Sequence, residues 1–256
     1  MLLGNERIDE VNDSLSLIQK PGGLLFGTDA LLLAAYIPKG ARLGTELGGG
    51  SGIISMLLLS RGKLLECDCI EAQEEYADLI RRNAELNSLS HSLHAHFADV
   101  RDFKSEREYD AVFTNPPYMK NDGGKRNESD AKNIARHEVF GDIFDFLSAA
   151  KRLLKFGGSF YAVYRPDRLT DLIVAMRDFG IEPKRISFVH ADTESESSMV
   201  LIEGKRGGKP GTKLTKPLII YEDEAHKKYT ADMNYIMENG TFGDDFFIAN
   251  KRKNKE

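Results

Sequence analysis

Cysteine is scarce: Cys67 and Cys69 are the only two in 256 residues, and they alternate within an apolar run so that both point to one face of a strand. Two thiols cannot build a disulfide framework or a four-ligand zinc site. No apolar run approaches the roughly 20 residues that a bilayer crossing needs, which excludes a membrane span. The opening Met1-Leu2-Leu3-Gly4-Asn5-Glu6-Arg7 lacks a basic stretch followed by an apolar one, so no signal or transit peptide is expected and the expected compartment is the cytoplasm. Excess positive charge is missing too. The net charge of -5 argues against a protein that grips nucleic acid through a globally basic surface. What is present, 41% hydrophobic and 29% charged residues, excludes a largely disordered chain and suits one α/β domain with a real core.

Charge is unevenly spread. Residues 204–256 carry 11 Lys/Arg against 8 Asp/Glu, leaving 24 against 32 for residues 1–203. Between Lys205 and Tyr221 there are five basic residues, Lys205, Arg206, Lys209, Lys213 and Lys216, and no acid. Interspersed with Gly207, Gly208, Pro210 and Gly211, they read either as a solvated flexible segment or as one that conforms to a phosphate backbone.

Short β-type stretches around Ile8 to Val11 and Leu15 to Ile18 precede a Pro21-Gly22-Gly23 turn. Thr28 and Asp29 stand before Ala30 to Tyr36, the pattern of a capped, buried helix stopped by Pro38. Strands and helices then alternate: strand Leu43 to Leu47, helix Ile53 to Arg61, strand Leu64 to Ile70, helix Ala72 to Leu86, strands Leu93 to Ala98 and Tyr109 to Thr114. A polar insert runs from Met119 to about Gly141. A helix from Ile143 to Phe156 is expected to stop at Gly157-Gly158, followed by strand Ser159 to Tyr164 and a helix from Pro166 to Phe179. Ile186 to Ala191 and Met199 to Glu203 suit an antiparallel pair. The sum is an open, doubly wound α/β sheet with a closing hairpin.

Glu46-Leu47-Gly48-Gly49-Gly50-Ser51-Gly52 lies between the first core strand and its helix, at the carboxyl edge where such sheets bind ligands. Glycine here lets backbone approach a ligand closely. A dinucleotide fingerprint fails, because counting from Gly48 the sixth position is Ile53. Gly48, Gly50 and Gly52 behind an acid have instead the spacing associated with S-adenosylmethionine. Glu71 closes the next strand, 19 residues after Gly52, where a carboxylate accepts both ribose hydroxyl protons; Asp99 closes the third, placed to accept from an adenine amine. The competing reading is that both acids cap the helices that follow.

The sharpest signal is Asp110-Ala111-Val112-Phe113-Thr114-Asn115-Pro116-Pro117-Tyr118. Two prolines straight after a strand end its ladder and leave carbonyls without reciprocal donors. The Asn115 amide and such carbonyls form an acceptor pair for an NH₂ group, and Tyr118 adds a flat face. A Pro-Pro turn that merely ends a strand is the alternative.

With this motif the chain resembles the class I S-adenosylmethionine-dependent methyltransferases, specifically the amino-methylating group marked by Asn-Pro-Pro-Tyr, over roughly residues 24–204. The resemblance narrows to the bacterial tRNA (adenine-N6)-methyltransferases that act on a valine tRNA beside the anticodon. That narrower likeness rests on Phe26-Gly27-Thr28-Asp29-Ala30-Leu31-Leu32-Leu33-Ala34, on Ala135-Arg136-His137-Glu138, and on the basic tail with Tyr229-Thr230. It implies a Rossmann-like, seven-stranded, mostly parallel sheet with an antiparallel closing hairpin, flanked by an N-terminal extension (1–23) and a basic C-terminal tail (205–256). It also implies S-adenosyl-L-methionine as cofactor, held by Phe26, Thr28, Glu46, Gly48, Gly50, Gly52, Glu71, Asp99 and Asn115. Asn115 and the Pro116 carbonyl then accept the N–H protons of the target amine while Tyr118 stacks on the base.

The tRNA partner is expected to meet Tyr118 and, in the insert, Lys120, Lys125, Arg126 and Arg136, although the insert's acids Asp122, Glu128, Asp130 and Glu138 dilute that reading, together with the five basic residues of the tail. No metal is expected: of His91, His94 and His96 only the last two share a strand face, without an acid or cysteine at a ligand's spacing. Two alternatives remain at this stage. A protein glutamine amide would meet the same acceptor pair, although the glutamine enzymes usually carry a separate N-terminal domain and only about 25 residues precede Phe26 here. A non-catalytic RNA-binding module would be expected to have lost Asn115 or the glycine turn. Oligomeric state is not legible.

Overall fold

The computed structural model describes residues 2–20, 27–116 and 141–247. Its centre is a sheet in which strands β3 (Leu43–Leu47), β4 (Glu66–Glu71), β5 (Leu93–Phe97), β6 (Tyr109–Thr114) and β7 (Leu154–Tyr164) run parallel. Strand β9 (Ser197–Arg206) lies antiparallel between β7 and β8 (Ile181–His190). The order β8-β9-β7-β6-β3-β4-β5 is the expected seven-stranded sheet with its closing hairpin. Two short strands, β10 (Lys213–Leu214) and β11 (Leu218–Ile219), add parallel to β8.

Both faces are covered, and the core is correspondingly double. One apolar cluster packs α1 (Thr28–Tyr36), α2 (Ile53–Ser60), α3 (Glu74–Leu86) and α6 (Ala231–Asn239) onto one face. The other packs α4 (Ile143–Leu153) and α5 (Leu169–Asp178) onto the opposite face. Cys67 and Cys69 both point into the first cluster, as their alternation requires. Asp142 starts α4 through a capping box with Asp145. Among the described residues no helix is long and apolar enough to cross a membrane.

The N-terminal hairpin, β1 (Arg7–Asn12) with β2 (Leu15–Gln19), stands apart from the sheet. The edge of β2 is paired by side chains of α3 and its C-cap residue instead of by a strand. Asn83 Oδ1 accepts from Ile18 N at 2.7 Å, and Asn87 both accepts from Ser16 N at 2.9 Å and donates to Ser16 O at 2.7 Å. Asn83 Nδ2 also donates to Ser51 O at 3.1 Å, which ties the hairpin's support to the glycine turn.

Three expectations need correction. The helix expected to reach Phe156 ends at Leu153, because from Leu154 the chain turns extended and joins β7 beside Tyr109. Thr28 and Asp29 do not precede α1 but form its first turn, with Gly27 at the N-cap. The basic segment is not a flexible solvated tail: Lys205 and Arg206 finish β9, and the chain beyond it adds β10, β11 and α6 before burying Phe242 and Phe246 near Tyr36. Apolar area at Leu218, Ile220, Met233 and Ile236 supplies the driving force that charge counting overlooks.

Candidate active site

Strand order reverses between β3 and β6, since the chain leaves β3 toward β4 and β5 and returns to place β6 on the other side. Ligands of open α/β sheets bind in the crevice outside the strand ends at such a point. The parallel registers Leu47↔Ile70 and Glu46↔Phe113 bring Gly48 level with Glu71 on one side and Asn115 on the other. With neighbouring strands ~4.8 Å apart, Glu71 and Asn115 flank the glycine turn across roughly 10 Å. Thr114 Oγ1 donates to Leu47 O at 2.8 Å and pins the two strand ends together.

The turn is built by the strand beneath it. Gly48 N and Gly49 N both donate to Ile70 O, at 2.9 and 3.1 Å. A Cβ on Gly49 would lie 2.1 Å from Cys69 Sγ, so this residue has to be glycine for the turn to rest on β4. Gly52, at φ 80°, is the left-handed N-cap of α2. Glu71, buried, accepts from Gly50 N and Gln73 N, both at 2.9 Å. A carboxylate has about four lone-pair sites, so capacity for a ribose hydroxyl is left over.

Glu46 is placed differently. It is 1% exposed, and its Oε2 accepts from Ser55 N at 3.0 Å and from the Ser55 hydroxyl, at the third residue of α2. Burial pushes its carboxyl up to about 7, against the opposing hydrogen bonds from Ser55. Asp99 accepts from Arg101 N and Nε, both at 2.9 Å, and the Arg101 hydrogen bonds hold it below the usual carboxylate range.

Asn115, half-buried, donates from Nδ2 to Asp29 Oδ2 at 2.8 Å, while its Oδ1 is buried with no hydrogen-bond partner among the described residues. An unpaired buried acceptor is costly unless something arrives to satisfy it. Asp29 and Thr28 of α1, with Arg165, Ser198 and Met199, line a cavity of about 200 Å³ beside it. Asp29, known from sequence only as part of a motif, is thus drawn into the site by a contact 86 residues long in sequence. Phe26 and Tyr118 lie outside the described residues, as do Lys120, Lys125, Arg126 and Arg136 of the insert.

The tail cations are not brought to this crevice. Tyr164 pairs with Val200 at the carboxyl edge whereas Ser159 pairs with Lys205, which sets Lys205 about 16 Å back along the sheet. Arg206 reaches Leu154 O, Lys209 O accepts from Lys184 Nζ at 3.0 Å, Lys213 pairs with Arg185 on the edge strand, and Lys216 bridges to Asp232 at 2.7 Å. His94 and His96 meet Glu66 and Asp68 across the β4–β5 ladder, at 3.1 and 2.6 Å, acids that their own segment does not contain.

A glycine turn, an acid closing the next strand and an asparagine closing the strand across the switch point, all on this sheet, define a class I S-adenosyl-L-methionine-dependent methyltransferase. Residues 24–173 match the model of the methyltransferase small domain family, and the chain belongs to that family. S-adenosyl-L-methionine is its cofactor. Relatives named tRNA1(Val) (adenine(37)-N6)-methyltransferase include one from Phocaeicola vulgatus, 27% identical over 180 residues, covering 70% of this chain and 76% of the relative. Another, from Flavobacterium psychrophilum, is 24% identical over 223 residues, covering 84% and 93%. Among solved structures, a predicted O-methyltransferase of Agrobacterium tumefaciens superposes with a TM-score of 0.68 at 21% identity, over 84% of this chain and 98% of that one. That likeness concerns the fold.

Proposed function

We propose that the protein methylates the exocyclic N6 amine of an adenosine in tRNA, the substrate being adenosine 37 of a valine tRNA as in the names of its relatives. The observation that carries the reading is the Oδ1 of Asn115 at the switch point, buried and unpaired among the described residues, an acceptor placed for an N–H donor. Gly48, Gly50 and Gly52 line the cofactor's side of the crevice, Glu71 takes the ribose hydroxyls with its remaining lone pairs, and Thr28 and Asp99 flank its two ends. When bound, S-adenosyl-L-methionine supplies an electrophilic methyl group whose bonding pair stays with sulfur.

The chain's own work is positioning and electrostatics. An adenine amine is a poor nucleophile because its lone pair is delocalised into the ring. Donating its two protons to Asn115 Oδ1 and the Pro116 carbonyl localises that pair and aims it for in-line attack. As the new N–C bond forms, the nitrogen becomes positive and both acceptors gain strength, so their effect is larger in the transition state than in the ground state. One proton then leaves the nitrogen for water. Tyr118 supplies the stacking face, and the insert cations grip the RNA backbone.

Mass spectrometry of nucleosides from tRNA incubated with enzyme and cofactor tests the reading: N6-methyladenosine is expected, falling at least about 100-fold in rate with Asn115→Ala while cofactor affinity holds. A wild-type enzyme that leaves tRNA unmodified but methylates a glutamine amide would overturn it.

A further inference from the structure

We propose that Asp29 is a positioning residue for methyl transfer, acting through Asn115: its carboxylate fixes the amide so that Oδ1, and not the NH₂ group, faces the substrate amine. The inference rests on the reading of Asn115 as the amine's acceptor.

An ionised carboxylate only accepts hydrogen bonds. Facing Asp29 Oδ2 at 2.8 Å, the Asn115 side chain must therefore present its NH₂, since the flipped amide would set oxygen against oxygen. This determines where Oδ1 goes. It ends up buried and unpaired among the described residues, directed away from Asp29. Without the carboxylate both amide orientations become available, and one of them offers the substrate a second donor where it needs an acceptor.

Asp29 is itself held. Its Oδ1 accepts from Ala30 N at 2.9 Å, within the first turn of α1. The negative charge also polarises the amide it accepts from, drawing electron density toward Asn115 Oδ1 as positive charge develops on the amine nitrogen. Asp29 borders the open cavity with Thr28, Arg165, Ser198 and Met199, so it stands at the crevice and not inside the core.

Two measurements test this. In single-turnover methylation of tRNA at saturating cofactor, Asp29→Ala is expected to slow transfer about 10- to 100-fold, and Asp29→Asn, whose carbonyl still takes the Asn115 proton, to retain more. Cofactor affinity should be unchanged. Because Asp29 acts through Asn115, the Asp29→Ala/Asn115→Ala double variant should be no slower than Asn115→Ala alone. Multiplying losses, or a wild-type rate in Asp29→Ala, would overturn the proposal.

The second measurement needs no substrate. In ¹⁵N spectra the Asn115 side-chain NH₂ should be shifted and protected from exchange in wild type, and lose both features in Asp29→Ala. An unchanged signal would also overturn the proposal, whereas failure of tRNA methylation by the wild type would sink only the substrate reading.

Discussion

Glu46 shows how a residue at the expected position takes a different task. It precedes the glycine turn, yet its carboxyl is spent on Ser55 inside the core, joining β3 to the first turn of α2. Burial raises its folded-state value from 4.5 to about 7. The folded protein therefore keeps a proton that the unfolded chain has lost across that interval, and stability falls as pH rises through it. The expected drop is on the order of 3 kcal/mol. Urea unfolding from about pH 5 to about pH 8 checks this: Glu46→Gln should flatten the fall, and parallel curves for the two proteins would contradict it.

At the scale of elements, α3 supports the glycine turn. Its Asn83 is fully buried and bonds β2 on one side and the carbonyl of Ser51 on the other. Asn83→Ala removes the partners of one amide and two carbonyls at once. A loss of about 2 to 4 kcal/mol in stability is expected from leaving buried polar groups unpaired. Because Ser51 lies within the glycine turn, the same variant should also weaken cofactor binding; calorimetry that finds full affinity would separate hairpin from turn. The amphipathic helix was legible from Tyr76, Leu79, Ile80 and Ala84, while the role of Asn83 was not, since its partners lie 65 and 32 residues away.

For the whole molecule, the acidic body and the basic C-terminal part predict a strong ionic-strength dependence of tRNA binding. Lys205, Lys209 and Lys213 are exposed and form no ion pair among the described residues, so all three are available to phosphates. They lie away from the strand ends where the chemistry is placed, so the proposed tRNA activity predicts that they contribute to affinity and not to base choice. Neutralising the three to glutamine should lower the slope of log affinity against log salt by about 2 to 3 and leave the modified nucleotide unchanged. Filter binding over a salt series decides: equal slopes would remove this segment from the RNA interface.

The sequence by itself determined the alternation of strands and helices, the glycine turn and Asn115, because each is written in neighbouring residues: period, turn chemistry and a proline pair. Ends were less secure. At Leu154 a helical pattern gave way to β7 because pairing with Tyr109 outweighs local preference. Only the tertiary structure decided that Asp29 meets Asn115, that Glu66 and Asp68 face His94 and His96, and that the basic segment folds along the sheet edge. Each of these joins residues far apart in the chain, and such pairings depend on which strands become neighbours and in what register, a choice made by burial of the whole core and not by any local run of residues.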